Sequence, residues 1–220
     1  MSYLFYSTKI ARYLVRNTNV SNEKEEVLAY AIEVISFNFL NIGMSLLIGY
    51  ILGVVPGTMV CLLTVFAIRI FAGGAHSESA WRCAAITALI YPIMGLLASK
   101  TASMFTLLKT DIFITFSFLI GFLALFFLAP VDTPNAPIIS STRRNRLKLM
   151  SLVSLVIIGT AALIIRFNQL VSTELLYCIA FGVIWSSLVL TPIGHKLFIA
   201  FDRLKIKKER RYKSNESNVL

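Results

Sequence analysis

Carboxylates are scarce in this chain: 11 Asp and Glu stand against 21 Lys and Arg. They are scattered and form no repeated acidic motif, which leaves no basis for metal-assisted phosphoryl transfer. No HExxH segment is present for a zinc protease, and no Gly-x-Ser-Gly turn for a serine nucleophile. Histidine occurs only twice, at His76 and His195, and cysteine three times, at Cys61, Cys83 and Cys178. The cysteines lie far apart, in or beside apolar stretches, without the spacing of a zinc knuckle or a CxxC motif. Neither a disulfide, a metal site nor a cofactor is expected. The basic start, MSYLFYSTKIARYLVRN, lacks the continuous apolar stretch and small-residue cleavage site of a secretory signal, so no cleaved leader is expected.

What the chain has in excess is apolar residues. At 57% hydrophobic and a mean hydropathy of +0.76, it carries too little polar surface to cover a core in water. About 20 apolar residues in a helix cross a hydrocarbon layer roughly 30 Å thick. Apolar runs centred on Ile32 to Leu52, Val54 to Phe71, Ala80 to Ala98, Ile112 to Ala129, Leu149 to Ile165 and Leu170 to Leu190 predict six spans. The fold class is therefore all-α, a polytopic membrane bundle in one domain. Its parts are an amphipathic N-terminal segment (1–31), a transmembrane bundle (32–195) and a basic tail (196–220). The second run is short and carries Arg69 near its end. Either a span with a snorkelling arginine or a tilted, re-entrant segment accommodates that residue.

The formal net charge of +10 raises nucleic acid as a partner, but the basic residues fall beside the spans, where anionic lipid is the natural counter-charge. With alternate loops assigned to one side, that side holds 18 of the 21 Lys and Arg, and only Lys100, Lys109 and Arg166 face the other. The positive-inside rule then puts both termini in the cytoplasm of a bacterial cell membrane. Lys9, Arg12 and Arg16 share one helical face while Tyr3, Tyr6, Ile10 and Leu14 share another, the pattern of a segment lying on a membrane. Gly49, Gly53 and Gly57 form small-xxx-small steps suited to close helix packing, a foothold also for a homodimer.

Chemistry gathers in Arg69-Ile-Phe-Ala-Gly-Gly-Ala-His-Ser-Glu-Ser-Ala-Trp-Arg-Cys. Gly73 and Gly74 interrupt a helix or admit another backbone, for which a substrate strand is one candidate. On one straight helix His76 and Cys83 stand about 10.5 Å apart along the axis, beyond hydrogen-bond reach. If His76 lies in a loop and the next helix starts near Ser77 or Ser79, Cys83 falls in its first turns and the imidazole can fold back over it. A helix N-terminus and an imidazole both favour the thiolate. Cys83 could then attack a carbonyl, with His76 as base and then acid and Arg69 reading an acidic substrate. The bland readings are an inert membrane-embedded thiol and a solvated interfacial imidazole.

The Arg-x-x-x-Gly-Gly-x-His block, with Cys seven residues after the His, resembles the signature of the accessory gene regulator B (AgrB) family. The likeness extends to Glu26, Tyr30 and Glu33, and to Ala129-Pro-Val-Asp-Thr-Pro-Asn-Ala-Pro with its following basic cluster. The resemblance implies a membrane cysteine endopeptidase with Cys83 as nucleophile and His76 as base, Arg69, Gly73 and Gly74 supporting the site. Its partner would be an AgrD-like propeptide, cleaved through a thioester and cyclised to a thiolactone or lactone signal. A third member to orient His76 is sought in Glu33 or Asn38, with an interfacial ion pair as the structural alternative for Glu33. His195, after Thr191-Pro192-Ile-Gly194, needs no catalytic role. A peptide transporter without proteolysis is the competing reading.

Overall fold

The computed structural model describes residues 5–17, 25–75, 80–132, 138–168 and 172–200. Seven helices bounded within those residues run in the order α1 (Phe5–Asn17), α2 (Glu25–Ile51), α3 (Val55–Ala72), α4 (Ala80–Met104), α5 (Leu107–Leu128), α6 (Ser141–Phe167) and α7 (Thr173–Leu190). An eighth helical stretch, α8, covers 192–200. Helices α2 to α7 are long and apolar enough to cross a membrane, as six spans require. Two of them outrun their apolar stretches. α2 starts at Glu25, and the carboxylates Glu25 and Glu26 in its first turn suit the positive end of the helix dipole. α6 starts at Ser141, so Arg143, Arg144, Arg146 and Lys148 ride on the first turns of a helix instead of in a loop. The Ser140 side chain caps that helix by accepting from the Arg143 N–H. The tail beyond residue 200, Tyr3, and the Thr133–Pro137 part of the Ala-Pro-Val-Asp stretch lie outside the described residues.

The chain divides into two compact units, 1–44 and 45–220. In the first, α1 buries Ser7, Ala11 and Val15, one residue per turn, and leaves Tyr6, Ile10, Tyr13 and Leu14 exposed. Arg12 pairs with Glu25 at 3.2 Å. Ser36 donates to the Ile32 carbonyl and Asn38 to the Val34 carbonyl. These polar groups of an apolar helix are thus satisfied by its own backbone, as a lipid-facing segment demands.

In the second unit α7 is the central helix, packed against α3, α4, α5 and α6. In lipid there is little hydrophobic drive between helices, so close packing and interhelical hydrogen bonds must hold them. Small residues provide the first. A Cβ on Gly182 would come within 2.9 Å of Thr64 on α3, and one on Gly57 within 3.3 Å of the Gly95 Cα on α4. Hydrogen bonds provide the second: Ser154 donates to the Ala67 carbonyl at 2.8 Å, Thr110 and Tyr177 share a buried bond of 2.9 Å, and Arg166 grips Asp111 through Nε and Nη2 at 2.6 and 2.9 Å. The three glycines expected to make one stripe do not. α2 ends at Ile51, Gly53 takes φ 70 in the turn that follows, and Gly49 and Gly57 pack separately on Thr58 and on α4 and α7.

Candidate active site

The helices alternate in direction, so the ends of α3, α5 and α7 meet the starts of α4 and α6 at one pole of this unit. α3 stops at Ala72. Gly73 takes φ 71 and ψ −142 and Gly74 takes φ 134, conformations open essentially to glycine alone. The second span is thereby a continuous 18-residue helix with a sharp end, and it does not run on into α4.

The segment after α3 is held on both flanks. Val131, just beyond the cis Ala129–Pro130 peptide, donates its N–H to the Ala72 carbonyl at 2.9 Å and forms an isolated parallel bridge with Gly73. On the other flank Ala75 donates to the Val189 carbonyl at 2.9 Å. Arg69 closes the arrangement: its Nη2 donates to the Ala75 carbonyl at 2.9 Å. A Cβ on Gly73 would meet the Val131 carbonyl oxygen at 2.6 Å. The close backbone approach anticipated at these glycines is real, but the backbone is the chain's own.

Ala75 is thus pinned by both its backbone groups immediately before His76. His76 itself, with Ser77, Glu78 and Ser79, lies outside the described residues, as does the N-cap expected there. The chain is described again from Ala80 on α4, which puts Cys83 in the first described turn of that helix. Cys83 is partly exposed, whereas Cys61 and Cys178 are wholly buried. The Cys83 carbonyl accepts from the Thr87 hydroxyl at 2.7 Å. The structure therefore gathers Arg69, Gly73, Gly74 and Cys83 at one pole. Glu33 is buried and belongs to the other unit. His195 sits after the break at Thr191, its Nδ1 3.0 Å from the Thr191 carbonyl, a local helix-end contact. No group of three or more His, Cys, Asp or Glu able to hold a metal occurs among the described residues.

Sequence reasoning missed the two backbone partners, Val131 and Val189. The Ala-Pro-Val-Asp stretch was a signal for the first, since a short irregular segment between two spans is where a strand-like pairing can form. Nothing in the run of apolar residues around Val189 marked the second.

Comparison with known proteins gives the family. The family model for accessory gene regulator B matches residues 7–190. An AgrB-like protein 2 of Clostridium perfringens strain 13 is 28% identical over 204 residues, covering 89% of this chain and 94% of its own. An AgrB-like protein of Clostridium perfringens strain SM101 is 30% identical over 205 residues, with the same coverage of both chains. One from Clostridium acetobutylicum is 26% identical over 170 residues, covering 77% of this chain and 76% of its own. No solved structure matches the chain. With six membrane-crossing helices and a family match over most of its length, this multi-pass membrane protein belongs to the accessory gene regulator B family, whose members take part in processing the peptide signal of agr quorum sensing.

Proposed function

We propose that the chain is a membrane cysteine endopeptidase that cleaves an AgrD-like precursor and promotes cyclisation of the retained part. The observation that carries this is the placement of Cys83: the partly exposed one of the three cysteines stands in the first described turn of α4, at the pole where Arg69 and Val189 pin Ala75, the neighbour of His76. A position near a helix N-terminus favours a thiolate, and an adjacent imidazole provides a base for the thiol proton.

In this reading the Cys83 sulfur attacks the scissile carbonyl. His76 takes the thiol proton and returns it to the leaving amine as the C–N bond breaks, leaving a thioester between Cys83 and the N-terminal part of the precursor. A Cys or Ser within that part then attacks the thioester, Cys83 is released as thiol, and a thiolactone or lactone ring forms. Exclusion of water from the pole favours the ring over the hydrolysed acid. Arg69 and Val189 hold Ala75, the residue before the base. The site faces the cytoplasm of a bacterial cell membrane, where a ribosomally made precursor arrives.

The test is co-expression with a tagged AgrD-like precursor, comparing wild type with Cys83→Ser and His76→Ala. Wild type is expected to shorten the precursor and yield a trapped acyl-enzyme, while either variant loses cleavage by about 10³-fold or more. Iodoacetamide should modify Cys83 ahead of Cys61 and Cys178, as mass spectrometry of the labelled peptides will show. Equal cleavage by all three proteins would return the dyad to a structural role and bring the transporter reading forward.

A further inference from the structure

α8 (192–200) follows the last span but does not continue it. Thr191 takes φ −78 and ψ 157, an extended conformation that ends α7. The same residue then caps α8: its hydroxyl accepts from the Gly194 N–H at 3.2 Å, and Pro192 takes the first helical position, where a missing N–H is tolerated. On a straight continuation of α7, Phe198 would stand about 13.5 Å beyond Val189 along the axis. Instead Phe198 is buried in one cluster with Val189 and Ala75, and a Cβ on Gly194 would come within 2.8 Å of the Val189 Cα. The chain therefore doubles back at Thr191, and α8 lies across the end of the bundle at the pole that carries Cys83.

Helical spacing sorts the side chains of α8. Gly194 and Phe198, four apart, are buried and face the bundle. Ile193 and Leu197, also four apart, lie about 100° further round and are exposed at 66% and 37%. Lys196 is exposed as well, on the side turned away from Phe198. With the bundle above and Lys196 below, the Ile193–Leu197 edge points sideways along the membrane face. An apolar edge in a helix that runs across that face, directly after a span, stands at the level of the lipid headgroups. Charge agrees: seven Lys and Arg among residues 203–213 follow the helix in sequence, a run that anionic headgroups attract.

We infer that α8 is seated in the anionic leaflet at this pole, with Ile193 and Leu197 in the boundary between headgroups and acyl chains, and that this seat keeps Phe198 in its cluster with Ala75 and Val189. The partner of this surface is the bilayer itself. Lipid thereby bears on the segment before His76 through one side chain, because the cluster that Phe198 completes contains both residues of the Ala75–Val189 hydrogen bond. If α8 leaves the leaflet, Phe198 leaves with it, and water reaches that bond.

The experiment uses the full chain in nanodiscs containing phosphatidylglycerol. Ile193→Cys, Leu197→Cys and Lys196→Cys are each spin-labelled in a Cys83→Ser background, where Cys61 and Cys178 are wholly buried and take no label. Collisions are then measured with oxygen, which partitions into acyl chains, and with a water-soluble nickel chelate. Labels at 193 and 197 are expected to meet nickel about threefold less often than the label at 196, and oxygen more often. Nickel collisions equal to those at 196 would put the edge in water and overturn the assignment. Few collisions with either reagent would mean that protein covers the edge, the tail or a second copy, and would overturn it too. Hydrogen exchange tests the link to the site: in an Ile193→Ser, Leu197→Ser double variant the Ala75 amide should exchange about tenfold faster, the mark of local opening, with the Val131 amide unchanged. An unchanged Ala75 amide, or equal acceleration of both, overturns the link. If the double variant fails to fold, the labelled proteins decide alone. No precursor enters either measurement, so failure here and failure of the peptidase reading are seen separately.

Discussion

Gly73 shows how much one residue settles at this site. Its φ of 71 disfavours any side chain, and a Cβ there would run into the Val131 carbonyl oxygen. Gly73→Ala therefore has no cheap relaxation, since the opposing atom is backbone and not the flexible end of a side chain. It is expected to cost about 1–3 kcal/mol and to release the bridge to Val131. Gly43 supplies the contrast, because it is helical in α2 and a Cβ there meets nothing within 4 Å. Gly43→Ala should be neutral or stabilise by up to about 1 kcal/mol. Thermal unfolding of the two variants in the same detergent checks the pair. If both melt alike, the tight geometry at Gly73 is not what holds the loop. That the glycines break a helix was legible in the sequence; which backbone lies against them was not, since Val131 is remote in the chain.

At the scale of elements, interhelical hydrogen bonds between residues far apart in sequence join α3, α5, α6 and α7. Ser154 on α6 reaches the Ala67 carbonyl on α3, and that carbonyl belongs to the helix whose end carries Arg69. Ser154→Ala leaves no orphaned group, because a carbonyl inside a helix keeps its intrahelical partner. The expected cost is accordingly small, about 0.5–1 kcal/mol, the range of such bonds in membrane bundles. It is read as a lower melting temperature with cleavage retained. Loss of cleavage at unchanged melting temperature would mean that α6 positions α3 for catalysis. The number and kind of the elements could be read from hydropathy, and so could Arg69 near the end of the second span. Arg69's partner could not: a snorkelling arginine or a tilted, re-entrant segment was expected, and which carbonyl its guanidinium meets, that of Ala75, is visible only in the structure.

For the whole molecule, charge distribution predicts orientation. The pole with the candidate site carries Arg69, Arg82, Arg143, Arg144, Arg146 and Lys148, and the opposite ends of the spans carry Lys100, Lys109 and Arg166. Fusions at the C-terminus should fluoresce with a reporter that matures in the cytoplasm and stay inactive with a periplasmic phosphatase. The reverse pattern would place the site on the outer face and remove the cytoplasmic encounter with a precursor.

The sequence by itself determined that the chain is made for lipid, how many helices are long and apolar enough to cross it, and which fifteen residues gather the candidate nucleophile, its candidate base and the two glycines. Those properties follow from solvent partition and local backbone preference, which are written along one dimension. The tertiary structure alone decided that Val131 and Val189 clamp the segment before His76, that Arg69 is tied to Ala75, and that Cys61 and Cys178 are sealed in the core. Each of these joins residues from different helices, and which backbone groups meet is settled only when small residues let those helices close to contact.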